Sequence, residues 1–373
     1  YHPAENYIKT LIDKGYKVAI CEQVEDPKTA KGVVKREVVQ IITPGTVMSQ
    51  SMLKEGENNY LCSLSHFQDG SFAVVYNDLS TGENRVALIE EGWDAVIHEL
   101  FNQPIREVVI ASTLDETLQN DLKEKLQITI SFQDEASFNG EYRDLMEHLN
   151  DERLVKAFSR LLNYIQKTQK RSLDHLKPAT VIELKNYLSL DMFSKRNLEL
   201  TETIIKKGKY GSLLWVLDRT VTAMGSRMLK KWLERPLLNR KAIEKRLNIV
   251  EGFYNGFMER EMLREALKNV YDLERLAARI AFGNVNARDL IQLKQSLQHI
   301  PTIKKILQQF SKPEMDEIAN SLVYPHHIVD LLEKSINDDP PASITEGGII
   351  KDGYHKKLDE YRDASRNGKK WIT

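Results

Sequence analysis

The chain has 373 residues, 41% hydrophobic and 29% charged, with 53 lysines and arginines against 54 aspartates and glutamates and a formal net charge of -1. That length carries roughly two to four domains of ~100–200 residues, and the balanced charge excludes a global basic field, so any contact with nucleic acid has to be local. No apolar run reaches the ~20 residues that span a bilayer, and residues 1 to 30 hold no signal-peptide apolar core; a membrane partner is not expected, and the cytoplasm is the default location.

Residues 1 to 16 read as a helix, with Ile8, Leu11 and Ile12 on one face and Gly15 as its stop. The chain is therefore expected to open inside a folding unit. Val18 to Ile20 read as a short buried strand and Val38 to Ile42 as another, and Lys28, Lys31, Lys35 and Arg36 lie between them. Such a run serves either as a solvated connector or as an edge that holds nucleic-acid phosphates without reading sequence. Residues 48 to 58, MSQSMLKEGEN, are polar and without period, and read as a linker. Cys21 and Cys62 fall on expected strands in different segments, as free thiols buried in a reducing compartment would.

From Asn59 the runs YLCSLSHF, SFAVVYNDL and NRVALI are separated by Asp69-Gly70 and Ser80-Thr81-Gly82, which predicts an antiparallel meander. Phe72, Val74 and Tyr76 alternate with Ala73 and Val75, so both faces require cover. Trp93, Val96, Ile97, Leu100 and Phe101 recur at helical spacing, 106–110 and 128–130 read as buried strands, Leu114, Leu118 and Leu122 mark a helix, and a long helix is expected near 151–168. This order resembles the ribonuclease H-like fold. A metal-dependent nuclease of that fold needs clustered carboxylates, one of them in the first strand. Here that strand has no acid, and Asp78 has no evident partner.

Beyond about 180 the chain reads as nearly all helix. Val221, Met224, Met228, Leu229 and Trp232 share a face before Pro236. Asn239 caps a helix presenting Ile243, Leu247, Val250 and Tyr254. Leu273, Leu276, Ala277, Ile280 and Ala281 form one stripe, and Leu290, Leu293, Leu297 and Ile300 form another, opened by Asn286 with Asp289 three residues on. All these stripes read as core. Pro340-Pro341 and Gly347-Gly348 force a turning connection into a charged helix that runs to Thr373. Asp338-Asp339 and His326-His327 lack the spacing of a metal site. Gly348 to Gly353 has a Gly-x4-Gly skeleton, but Tyr354 stands where a phosphate-binding loop needs lysine. The residues alone give a multi-domain α/β plus all-α scaffold with no catalytic residue, metal site or nucleotide site.

In chain order, YHPAENYIKTL, KVAICEQVEDP, VKREVVQIITPGT, RNLELTET, LDRTVTAMGSRMLKKWLERPL, DLERLAARI and the DPP…EGGII…GY hinge closely resemble the MutS family of DNA mismatch-recognition proteins. The resemblance implies the C-terminal part of a mismatch-reading domain over 1–47, a linker over 48–58 and a non-catalytic ribonuclease H-like connector domain over 59–170. A helical core over 171–354 and the start of a lever helix toward a DNA clamp over 355–373 would follow. It further implies mismatched double-stranded DNA and MutL as partners, and a homodimeric parent that uses ATP and Mg²⁺ in a domain outside this chain. Lys35 and Arg36 match a basic pair in the family's strand before Thr-Pro-Gly, which makes them candidates for backbone phosphate contact. Two alternatives stay open: a ribonuclease H-like metal-dependent nuclease fused to a helical domain, and a paralogue without a mismatch-reading domain, which KVAICEQVEDP weakens.

Overall fold

A computed structural model describes residues 2–26, 32–138, 140–341 and 343–371. Mixed α/β structure is followed by helices. The chain divides into two compact units, one of residues 1–243 with 277–283 and the other of residues 244–276 with 284–373.

The first unit opens with α1 (His2–Asp13), which ends where Gly15 takes a positive φ of 83°. An antiparallel ribbon of β1 (Val18–Gln23) and β2 (Arg36–Ile42) follows, with a register shift at Ile20/Cys21. β1 is mostly exposed and β2 mostly half-buried, and Cys21 is exposed, against the expectation of a buried strand and a buried thiol. A two-stranded ribbon touched by the helix before it and by one end of the long helix near 151–168 still leaves part of every residue row facing water. Cys62, inside a covered sheet, is buried as expected.

The meander is β3 (Tyr60–His66), β4 (Phe72–Asp78) and β5 (Glu83–Ile89). After it come α2 (Trp93–Phe101), β6 (Ile105–Ile110), α3 (Glu116–Leu126), β7 (Thr129–Phe132), α4 (Glu152–Gln169) and β8 (Thr180–Val181). The sheet order is β7-β6-β3-β4-β5-β8. The pairs β3/β4 and β4/β5 are antiparallel, while β6, β7 and β8 join in parallel. Alternation along the meander explains the two cores. Leu61, Ala73, Val75 and Val86 pack with Phe158, Leu161 and Ile165 of α4, and Cys62, Leu64, Val74 and Tyr76 pack with Val96 and Leu100 of α2. Residues 43–48 are buried, Met48 within the α4-side core, and the stretch after them is pinned: Lys9 Nζ donates to Ser51 O, and Asn58 Nδ2 to Asp78.

Residues 182–222 are mainly irregular, where sequence periodicity predicted helix. A 3-10 turn at Leu184–Asn186 and the short α5 (Met192–Asn197) and α6 (Leu213–Leu217) interrupt the stretch before α7 (Ala223–Glu234). The expected single helix through Val221 breaks at 218–222, because Asp218 takes up Thr220 and Ser226 while Thr222 caps α7. The inward side of α7 also differs from expectation. Met228 is 54% and Trp232 40% exposed, whereas Arg227 and Glu234 are buried. The helix lies against carboxylates: Lys230 pairs with Glu57, Lys231 with Glu83 and Arg235 with Glu99. Those partners select its charged side.

The chain continues through α8 (Arg240–Asn255) into α9 (Phe257–Leu267) and α10 (Leu273–Phe282). Asn239 Oδ1 accepts from Ala242 N, as its capping role required. Leu247, Val250 and Tyr254 are exposed, so that stripe is not core. Ala278 and Phe282 of α10 belong to the α4-side core of the first unit, and Arg171 lies over the Phe282 ring. The inward alanine of that stripe is Ala278, while Ala277 is exposed.

The second unit holds α11 (Ala287–Gln298), α12 (Ile300–Gln308), α13 (Pro313–Ser321), α14 (His326–Ser335) and α15 (Lys356–Trp371). The Asn286/Asp289 capping box is formed. One core joins α9, α12 and α13 through Leu263, Ile306, Leu307 and Met315, and another joins α11 and α14 through Ile291, Leu332 and Ile336. In the connection before α15, Gly347 and Gly348 have φ of 73° and 71°, the left-handed turns that favour glycine.

Candidate nucleic-acid interface

The basic edge is set by the ribbon. Val24 N donates to Lys35 O at 3.1 Å, and Lys35 N donates to Glu25 Oε2 at 3.2 Å, so Lys35 and Arg36 enter β2 from a fixed turn-side register. Consecutive residues on extended backbone point to opposite faces. Lys35 accordingly shares a face with Glu37, and their 2.6 Å ion pair is exposed, 66% and 52% for the two side chains. The Glu37 hydrogen bond and charge raise the Lys35 pKa, and Lys35, followed by the charge of Lys170, lowers that of Glu37. Arg36 pairs with Gln23 across the ribbon and is exposed. Lys28 and Lys31 lie outside the described residues.

Lys170 is a third cation at this edge that sequence reading missed. It stands one residue beyond α4 at φ 51°, and its Nζ donates to Val38 O at 2.8 Å. A lysine closing a helix reads as an ordinary cap; only the tertiary fold brings it to β2. The arrangement supplies exposed cations on a ribbon edge with the carboxylates of Glu22, Glu25 and Glu37 among them. Such groups neutralise phosphates and fix orientation, and they carry no base-reading geometry of their own.

The other candidate residues are engaged structurally. Asp78 Oδ1 accepts from Ser80 N and Oγ, and Oδ2 accepts from Asn58 Nδ2 and Asn59 N, which closes the β4–β5 turn. Asp338 lies between Lys294 at 2.8 Å and Lys351 at 3.2 Å. His326 packs edge-on against Tyr324 at the start of α14.

Family models match in chain order: MutS domain I over residues 1–51, MutS domain II over 59–177 and MutS domain III over 194–367. The chain belongs to the MutS family. It is 73% identical over 373 residues to the DNA mismatch repair protein MutS of Oceanobacillus iheyensis, covering all of this chain and 43% of that protein. The proteins of the same name from Geobacillus sp. (strain WCH70) and Bacillus subtilis (strain 168) are 56% and 54% identical, again over the whole chain and 43% of each relative. The chain thus spans less than half the length of these MutS relatives. The nuclease reading gains no support from any of these likenesses.

Proposed function

We propose that the chain serves DNA mismatch repair as the part of a MutS protein that links a mismatch-reading domain to a helical core. The observation that carries this reading is the ordered match of MutS domains I, II and III along the chain, at 73% identity to a mismatch repair protein. Lys35 and Arg36 hold the phosphate backbone of a mismatched duplex, with Lys170 beside them. Their exposure on the ribbon edge supports that role.

Residues 59–170 act as a connector of ribonuclease H-like form, a reading supported by three antiparallel strands followed by parallel β6 and β7. Residues 1–47 end the mismatch-reading domain, 48–58 link, 171–354 form the helical core and 355–373 begin the lever helix. The chain supplies no catalytic residue. ATP and Mg²⁺ act in a further domain of the homodimeric parent, MutL is its protein partner and the cytoplasm its location.

The test is fluorescence anisotropy of the chain on mismatched and matched duplexes. Lys35→Ala/Arg36→Ala weakens binding to both by the same factor, since phosphate contacts carry no sequence information. Unchanged affinity in the double variant would overturn the assignment of these residues.

A further inference from the structure

Strand β6 carries a carboxyl where an apolar side chain is the ordinary choice. Glu107 is fully buried between Arg106 and Val108, and burying such a group is costly unless donors surround it. Its two oxygens are served from different places. Ser131 Oγ of β7 and Tyr164 OH of α4 donate to Oε1, the latter at 2.5 Å. Thr43 Oγ1 and Gly45 N donate to Oε2, the latter at 2.9 Å. One oxygen is therefore satisfied within the sheet and its covering helix, and the other by the Thr-Pro-Gly-Thr segment that follows the ribbon.

The fit on the ribbon side is close. A Cβ on Gly45 would lie 2.6 Å from Leu61 Cδ1 and 3.0 Å from the Glu107 side chain. Thr43 and Thr46 are fully buried, their hydroxyls 2.9 Å apart, and Asn59 Nδ2 donates to Pro44 O at 3.0 Å. If the segment lifted away, Oε2 would lose these donors, a loss of about ten- to a hundredfold in the docking equilibrium for one charged hydrogen bond. A continuous range of partly docked positions is thereby disfavoured.

We propose that Glu107 is the positioning residue that fixes the β1–β2 ribbon to the connector sheet, so that the ribbon edge and the sheet move as one body. This holds whether or not Lys35 and Arg36 touch DNA. Gln169 and Lys170 also reach the ribbon, through Ile41 O and Val38 O. Glu107 acts at its root, where the chain leaves β2 for the sheet.

The chain carries its own reporter, because Cys21 on the ribbon is exposed and Cys62 is buried. A spin label on Cys21 and a second on Lys123→Cys in α3 measure the ribbon-to-connector distance by pulsed electron resonance. The wild-type background gives one narrow population. Glu107→Ala broadens it, and exchange of the Gly45 amide becomes about ten- to a hundredfold faster. Glu107→Gln restores the narrow population, because its amide oxygen can face Gly45 N while its nitrogen donates to the two hydroxyls. If Glu107→Ala fails to fold, Thr43→Val decides, since it removes a ribbon-side donor and leaves the sheet intact. Broadening in Thr43→Val, with none in Tyr164→Phe, supports the proposal. A narrow, unshifted population in Glu107→Ala, or in Thr43→Val where the alanine variant does not fold, overturns it and assigns the ribbon's position to Gln169 and Lys170.

Discussion

Replacing Arg235 with alanine removes the cation that faces Glu99 from α7. The two side chains form an ion pair, each 11% exposed, and Tyr76 OH donates to the same carboxyl oxygen at 2.7 Å. Removing one partner of a buried pair costs about 3–5 kcal/mol, because the remaining charge has lost its compensation. The residual exposure and the retained Tyr76 bond place Arg235→Ala near the lower end, at about 3 kcal/mol. Replacing the pair with apolar residues and removing the hydroxyl that Glu99 would otherwise leave orphaned, Arg235→Met/Glu99→Leu/Tyr76→Phe, recovers most of that loss, since packed apolar side chains substitute for a buried pair at little cost. Native-state hydrogen exchange is the suitable assay, because a multi-domain chain need not unfold in one step. Core amides of β4 and β5 that open with the whole unit should exchange about a hundredfold faster in Arg235→Ala, from about 1.4 kcal/mol per factor of ten. Protection unchanged in the single variant, or no better in the triple variant than in the single, would refute the reasoning.

The two meander glycines separate backbone strain from crowding. Gly70 has φ 83° with nothing within 4 Å of a built Cβ, whereas Gly82 has φ 72° and its Cβ would meet His175 O at 2.1 Å. Gly70→Ala should cost about 1–2 kcal/mol for the left-handed backbone, and Gly82→Ala about 1–3 kcal/mol more for the overlap; equal midpoints in urea would contradict this. Asp218 gives a pH prediction: burial pushes its carboxyl up, but Lys209, Ser226 and Thr220 outweigh that and hold it well below the ordinary 3.8. A depressed folded-state value contributes stability that is present above about pH 4 and lost as pH falls below it. Asp218→Asn should flatten the fall of the urea midpoint below pH 4; an identical profile in variant and wild type would count against the reading.

How much of this was legible in the sequence follows from what each signal reports. Asp69-Gly70 and Ser80-Thr81-Gly82 marked the meander turns because hairpin geometry demands those residues locally, and Asn286 with Asp289 marked a helix start for the same reason. The α7 stripe misled because an apolar row gives the inward side only when the neighbour is apolar. Here Glu57, Glu83 and Glu99 draw in Lys230, Lys231 and Arg235. At the basic edge, Lys35 and Arg36 were visible as a local pair, while Lys170 required α4 to end beside β2. Glu107 offered one faint sign, a lone acid inside an apolar strand. Its four donors come from residues 43, 45, 131 and 164, which only the fold assembles.

The measurement that tests the central claim most directly is the salt dependence of the chain's binding to a mismatched duplex. Plotted as log affinity against log salt concentration, each cation that neutralises a phosphate contributes a slope of about -0.9. Lys35→Ala/Arg36→Ala should make the slope shallower by about 1.8, on mismatched and matched duplexes alike. A slope identical to wild type would contradict the assignment of the ribbon edge as a phosphate-binding surface.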